Sequence, residues 1–219
     1  MIRQAKARQL PIALIGAAVL GLCAACATTP SETFYTLAAV EATVSSPARE
    51  APAGARAQGA AASASALAIV VDQATVPELV DRPQLVVSGP DSRVVLLEQQ
   101  RWAEPLRSQI PRTVAFDLTR LLAPARVSTN SDILDGADEK RSYRIALDVQ
   151  RFESRPGDAV TIEVLWTLRR SGGDVVGSAR EIVREPVSGG AYEGLVGAHN
   201  RALAAVSRAI AAAVRSQGN

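Results

Sequence analysis

The chain has 219 residues, 24 of them basic and 22 acidic, with one histidine and two cysteines. No basic run or patch stands out, so nucleic acid is a poor partner for it. Zinc sites want several Cys or His ligands, so a structural or catalytic zinc is close to excluded.

The N-terminus comes first. Arg3, Lys6 and Arg8 form a basic stretch without acids, residues 10–22 are mostly apolar, and Cys23-Ala24-Ala25-Cys26 follows. A basic stretch, a short apolar run and small residues at a cleavage point make a secretory signal. A cysteine directly after Ala24-Ala25 makes it resemble a bacterial lipoprotein signal, in which the thiol is lipidated and cleavage leaves Cys26 first. Cys23 stands where that class usually has Leu, and it fails as the acceptor because Leu22 before it is too large. The apolar run is shorter than the ~20 residues of a spanning helix. Ala27, where Asp would retain such a lipoprotein at the inner membrane, points to the inner leaflet of the outer membrane. Removing residues 1–25 takes away Arg3, Lys6 and Arg8, so 21 basic residues face 22 acidic ones and the net charge falls to about −1. No cysteine then remains for a disulfide, a nucleophile or a metal.

Residues 26–32 form a lipidated tether. Residues 33–40 hold a first strand, from the alternation of Thr-Phe-Tyr-Thr-Leu-Ala at 33–38. Residues 41–66 are Ala, Ser, Pro and Gly without a large apolar cluster, which predicts a disordered insertion interrupting the domain. Residues 67–219 form the rest of it. Residues 67–71 read as a strand, Leu79 to Pro83 as a turn, and 84–88 and 93–97 as strands around the Gly89-Pro90-Asp91 turn.

Glu104-Pro105 opens a helix, since proline fits the first turn. Trp102, Leu106, Ile110, Val114, Leu118 and Leu121 share a face, and Pro111 should kink or split the helix, which ends before Pro124. A β-meander follows over 143–150, 160–168 and 175–187, turning at Pro156-Gly157-Asp158 and Ser171-Gly172-Gly173-Asp174. After Gly189-Gly190, residues 191–215 form the longest helix, with Tyr192, Leu195, Val196, His199, Leu203, Val206, Ile210 and Val214 on one stripe. Two helices with one apolar stripe each need a partner layer. The predicted fold is a two-layer α+β sandwich, a mainly antiparallel sheet with two amphipathic helices on one face.

Arg101, Trp102, Glu104, Pro105 and Leu106 form the candidate interface, because Trp and Arg dominate interface hot spots. The same residues read structurally as a helix start: Trp102 as an apolar plug, Glu104 capping or complementing the helix N-terminus, Arg101 paired nearby. His199 on its apolar stripe reads as a packed histidine, and Asp81-Arg82 as a turn ion pair. Asp148, Glu153, Asp158 and Glu163 scatter over the outer face of the meander. Paired-carboxylate chemistry needs convergence in a cleft. No catalytic residue, metal ligand or cofactor motif is assigned.

Several segments together resemble one family. Phe34-Tyr35-Thr36-Leu37 lies close behind a candidate lipidated cysteine. Residues 76–86 carry Asp81-Arg82-Pro83-Gln84 at their centre. Arg101-Trp102-Ala103-Glu104-Pro105-Leu106, Asp148-Val149-Gln150-Arg151-Phe152-Glu153 and Leu165-Trp166-Thr167-Leu168 complete the set. In this order they resemble the PqiC-like ABC-type transport auxiliary lipoproteins (paraquat-inducible protein C). The resemblance spans the mature chain apart from 41–66. It implies a non-enzymatic periplasmic lipoprotein, held at the outer membrane by its lipid. Such a protein works with an MCE-domain protein and an inner-membrane component to move lipids or other hydrophobic molecules across the envelope. It also implies a homo-oligomeric ring that receives the MCE conduit. An independent lipid-binding carrier lipoprotein is the alternative.

Overall fold

Where the sequence alternates most strictly, the chain builds its largest sheet. In this computed structural model residues 31–39 and 67–217 are described, and those from Glu32 onward form one compact unit. Cys26, the signal and the insertion at 41–66 lie outside the described residues.

Eight strands and two long helices make the unit. β1 (Thr33–Tyr35), β2 (Ala68–Val71), β3 (Gln84–Ser88) and β4 (Val94–Trp102) precede α1 (Leu106–Leu121). β5 (Arg126–Ser128), β6 (Ser142–Ser154), β7 (Ala159–Arg170), β8 (Val175–Pro186) and α2 (Ala191–Ser216) follow. The fold is α+β, but the strands divide between two mixed sheets rather than one antiparallel sheet. The three-stranded sheet has the order β1-β4-β3, the five-stranded one β5-β2-β6-β7-β8. β1 runs parallel to β4, and β2 runs parallel to both β5 and β6.

The meander is antiparallel as expected, with Leu147 opposite Trp166 and Trp166 opposite Ala179. Gly157 and Gly173 turn it at φ values of +73° and +103°, a region glycine enters without a Cβ clash. One irregularity matters: the β6 register shifts between Val149 and Arg151. A bulge changes which face the following residues use. Tyr143, Ile145, Leu147 and Val149 point inward before it, Phe152 and Ser154 after it.

Both helices pack on this sheet, α2 over β7 and β8, α1 over β2 and β5 and against α2. Ile110, Leu118, Leu195, Leu203 and Ile210 join Ile69, Ile145, Ile162 and Leu168 in one apolar core. Burying each such side chain contributes about 1.5–3 kcal/mol before the entropy of ordering is counted. The three-stranded sheet adds Leu85 and Trp102 to that core.

α1 runs from Leu106 to Leu121 with Pro111 inside it, neither split nor ended there. Pro111 has no N–H for the carbonyl of Arg107, four residues back. That carbonyl accepts from the Ala74 N–H at 3.3 Å, in the segment after β2. The acceptor a proline strands is therefore occupied, and the helix continues.

Candidate functional site

The Arg101–Leu106 segment takes the chain from the end of β4 to the start of α1. Beside it lie β1 and the turn before β3. Together they line a cleft of about 500 Å³, formed by Phe34, Asp81, Arg82, Pro83, Arg101, Trp102, Ala103, Glu104, Pro105 and Arg107.

Each predicted interface residue has a distinct place. Trp102 forms the floor, 5% exposed, its backbone N–H donating to the Pro83 carbonyl at 2.6 Å. Its ring meets Phe152 edge-on at 6.1 Å and His199 at 6.2 Å. Arg101 pairs with Glu32 at 2.5 Å. Pro105 is exposed and occupies the position before the first helical residue, accepting from the Ser108 and Gln109 amides. Glu104 is exposed and makes no side-chain cap on α1; its carboxylate pairs instead with Arg112. The hydrogen bond from Arg112 holds the Glu104 carboxyl below its ordinary range. Leu106 is 1% exposed and serves the core.

Residues outside the predicted interface set complete the cleft. Phe34 is 59% exposed, because β1 turns Tyr35 into the core and leaves its neighbour outside. The alternation of the Thr-Phe-Tyr-Thr stretch carried that signal. Asp81 pairs with Arg107 rather than with its neighbour Arg82. The Arg82 Nε is buried without a hydrogen-bond partner. The rest of this half-buried guanidinium enters no ion pair among the described residues, and beside an exposed phenyl ring it suits a partner carrying both an acceptor and apolar surface.

The apolar stripe of α2 also holds a pair hidden from the sequence. His199 Nε2 lies 2.8 Å from Ser154 Oγ, and its ring stacks on Phe152 at 3.9 Å and 3°. Burial pushes the histidine down to about 3, so it is neutral at pH 7. Its Nδ1 has no partner, where a triad would place an orienting carboxylate. Ser154 is 3% exposed and His199 1%. The pair is packing, not a nucleophile presented to a substrate.

The meander carboxylates also have local roles. Glu163 pairs with Arg180, Asp158 with Arg184 at 2.5 Å and Glu153 with Arg155 at 2.8 Å. Asp148 accepts from Thr75 at 2.5 Å. Among the described residues no group of three His, Cys, Asp or Glu could hold a metal ion, and no helix is long and apolar enough to cross a membrane.

Two mixed sheets, two helices on one of them, and a cleft where the smaller sheet feeds the first helix define an α+β domain with an open surface cleft. The model of the ABC-type transport auxiliary lipoprotein component matches residues 35–211, and the chain belongs to this PqiC-like family. Among solved structures, an uncharacterized protein is similar at 19% identity with a TM-score of 0.61, covering 83% of this chain and 97% of its own. Protein XCC0632 from Xanthomonas campestris, of family DUF330, is similar at 20% identity and a TM-score of 0.57, covering 85% and 96%. A PelC dodecamer from Paraburkholderia phytofirmans overlaps at 15% identity and a TM-score of 0.38, covering 64% of this chain and 86% of its own. No curated protein gives a significant match.

Proposed function

We propose that this protein is an outer-membrane lipoprotein, lipidated at Cys26, with its domain in the periplasm. It is a non-enzymatic accessory of an MCE-type system that moves lipids or other hydrophobic molecules between the two membranes, and so contributes to envelope integrity. The observation that carries the transport-accessory role is the family match over residues 35–211. The partner contact is the cleft: Arg101, Glu104 and Pro105 at its rim, Trp102 as its rigid floor, Phe34 and Arg82 as its free apolar and cationic groups. Leu106 supports it from the core. The protein self-associates into a ring in which several such clefts face the MCE protein.

The test is a pull-down of the full-length protein from gently solubilised membranes, with mass spectrometry of proteins and lipids. An MCE-domain protein in the eluate supports the reading. Bound lipid without one replaces it with an independent lipid carrier. A strictly monomeric mass at high concentration removes the ring.

A further inference from the structure

Direction in the small sheet gives the unit two distinct ends. β1 is parallel to β4, with Thr33 opposite Gln100 and Tyr35 opposite Trp102. The chain coming from Cys26 therefore joins the sheet from the end where β4 begins. That end is the β3–β4 hairpin, turned by Pro90–Ser92. The cleft lies at the opposite end of β4, around Trp102.

The lengths agree. Cys26 precedes Thr33 by seven residues, and Arg93 at the hairpin turn precedes Gln100, the partner of Thr33, by the same number. Seven residues of extended chain reach about 25 Å. Seven strand residues span about 23 Å. A tether of that length is thus long enough for the lipidated cysteine to reach the level of the hairpin turn.

The hairpin carries consecutive exposed apolar residues there. Val94, Val95 and Leu96 are 40%, 48% and 36% exposed, while Val87 and Val86, the β3 partners of Val95 and Leu96, are 7% and 8% exposed. β1 covers β4 only from Gln100 onward, so among the described residues this stretch has a strand partner on one side alone. An apolar, unprotected edge invites association unless something covers it. The surface nearest to it by chain length is the membrane holding the acyl chains.

We propose that the β3–β4 hairpin is a second membrane contact of the anchored protein, its Val94–Val95–Leu96 flank resting in the boundary between headgroups and acyl chains. This rests on the reading of Cys26 as the lipidated residue. Asp91 and Arg93 in the turn offset each other in charge, so the contact is apolar and does not depend on anionic lipid. It holds the domain with its cleft directed away from the bilayer, where a transport partner arrives.

The test uses the full chain, matured in its own membrane and reconstituted into phosphatidylethanolamine/phosphatidylglycerol vesicles or phosphatidylcholine vesicles. After lipidation the cysteines of Val95→Cys, Leu96→Cys and Ile182→Cys variants are the sole free thiols for a polarity-sensitive fluorophore. Ile182, 61% exposed on the five-stranded sheet, is the control. The expected result is a blue shift and loss of emission with brominated acyl chains at positions 95 and 96, equal in both vesicle types and absent at 182. Iodide-accessible probes at 95 and 96 overturn the proposal. So does protection from iodide without quenching by brominated lipid, which would show that another protein surface covers the hairpin. Quenching confined to anionic vesicles overturns its apolar character. The N-terminal peptide mass from the same sample separates the two readings. Unmodified Cys26 sinks both, whereas acylated Cys26 with a wet hairpin sinks the second contact alone.

Discussion

The Ala74 N–H donates to the carbonyl of Arg107 at 3.3 Å, an acceptor left open because Pro111 lacks an amide hydrogen. A helix-breaking residue thereby ties α1 to the segment that leaves β2. Proline inside a helix ordinarily costs about 3 kcal/mol relative to alanine. Here much of that cost is already offset by the tie, so Pro111→Ala should change stability by less than about 1.5 kcal/mol. Urea unfolding of the two proteins measures it. A full gain near 3 kcal/mol would mean that the Ala74 bond contributes nothing.

His199 sets an acid limit on the fold. Its folded-state value of about 3 lies below the ordinary 6.5. Between those values the unfolded chain binds a proton that the folded chain does not, so this group makes stability fall as pH drops from about 6.5 toward 3. The slope from one proton approaches about 1.4 kcal/mol per pH unit. His199→Gln should flatten the unfolding midpoint between pH 6.5 and 5, whatever it does to stability at pH 7. An unchanged pH profile in that variant would remove His199 as the cause.

Asp117 shifts in the other direction. Burial pushes its carboxyl up, against the Ser207 hydrogen bond and the charges of Arg120 and Arg208. The Ser207 hydroxyl lies 3.1 Å from Asp117 and 2.9 Å from the Leu203 carbonyl. One hydroxyl proton serves only one of them, so a protonated Asp117 could donate to Ser207 while Ser207 donates to Leu203. A raised folded-state value means stability present at acid pH and lost as pH rises through it. Asp117→Asn supplies the missing donor at every pH. It should raise stability at pH 7 by on the order of 1 kcal/mol, with the gain shrinking in acid. A loss at pH 7 would show that the carboxylate is needed charged.

In the proposed interface, support and contact fall on different residues. Trp102→Ala should cost about 3–5 kcal/mol, since it empties a core position against Phe152 and His199. Arg82→Ala removes no ion pair and should leave the unfolding midpoint within about 0.5 kcal/mol of the parent. The same variant should recover markedly less of the proposed MCE-domain partner in the pull-down. Full recovery with Arg82→Ala and Phe34→Ser combined would move the contact elsewhere on the domain.

Much of the fold was legible where one period dominates. The meander strands and the α2 stripe follow directly from alternation at Val160 to Leu168 and from the spacing of Leu195, His199 and Leu203. Parallel pairings were not legible, because β2 and β1 are short and their partners lie far along the chain; nothing local distinguishes a parallel mate. The Ser154–His199 contact was hidden by the bulge after Val149. Strict alternation would have put Phe152 and Ser154 outside, and one extra residue brought them in. At the cleft, Trp102 and Arg101 announced themselves by type. Arg82 did not, because its lack of a partner depends on Asp81 choosing Arg107.

The parallel pairing of β1 with β4 also fixes how the domain bears load. Traction on the chain before Thr33, opposed by a partner gripping the cleft, runs along the strand axes. It strains the bonds of the β1–β4 ladder together, in shear, rather than peeling them one at a time. Tyr35, the last residue of that ladder, and Leu37 just beyond it are both buried and resist the same displacement. Three residues of strand thus act as the mechanical coupling between whatever holds the N-terminus and whatever the domain holds.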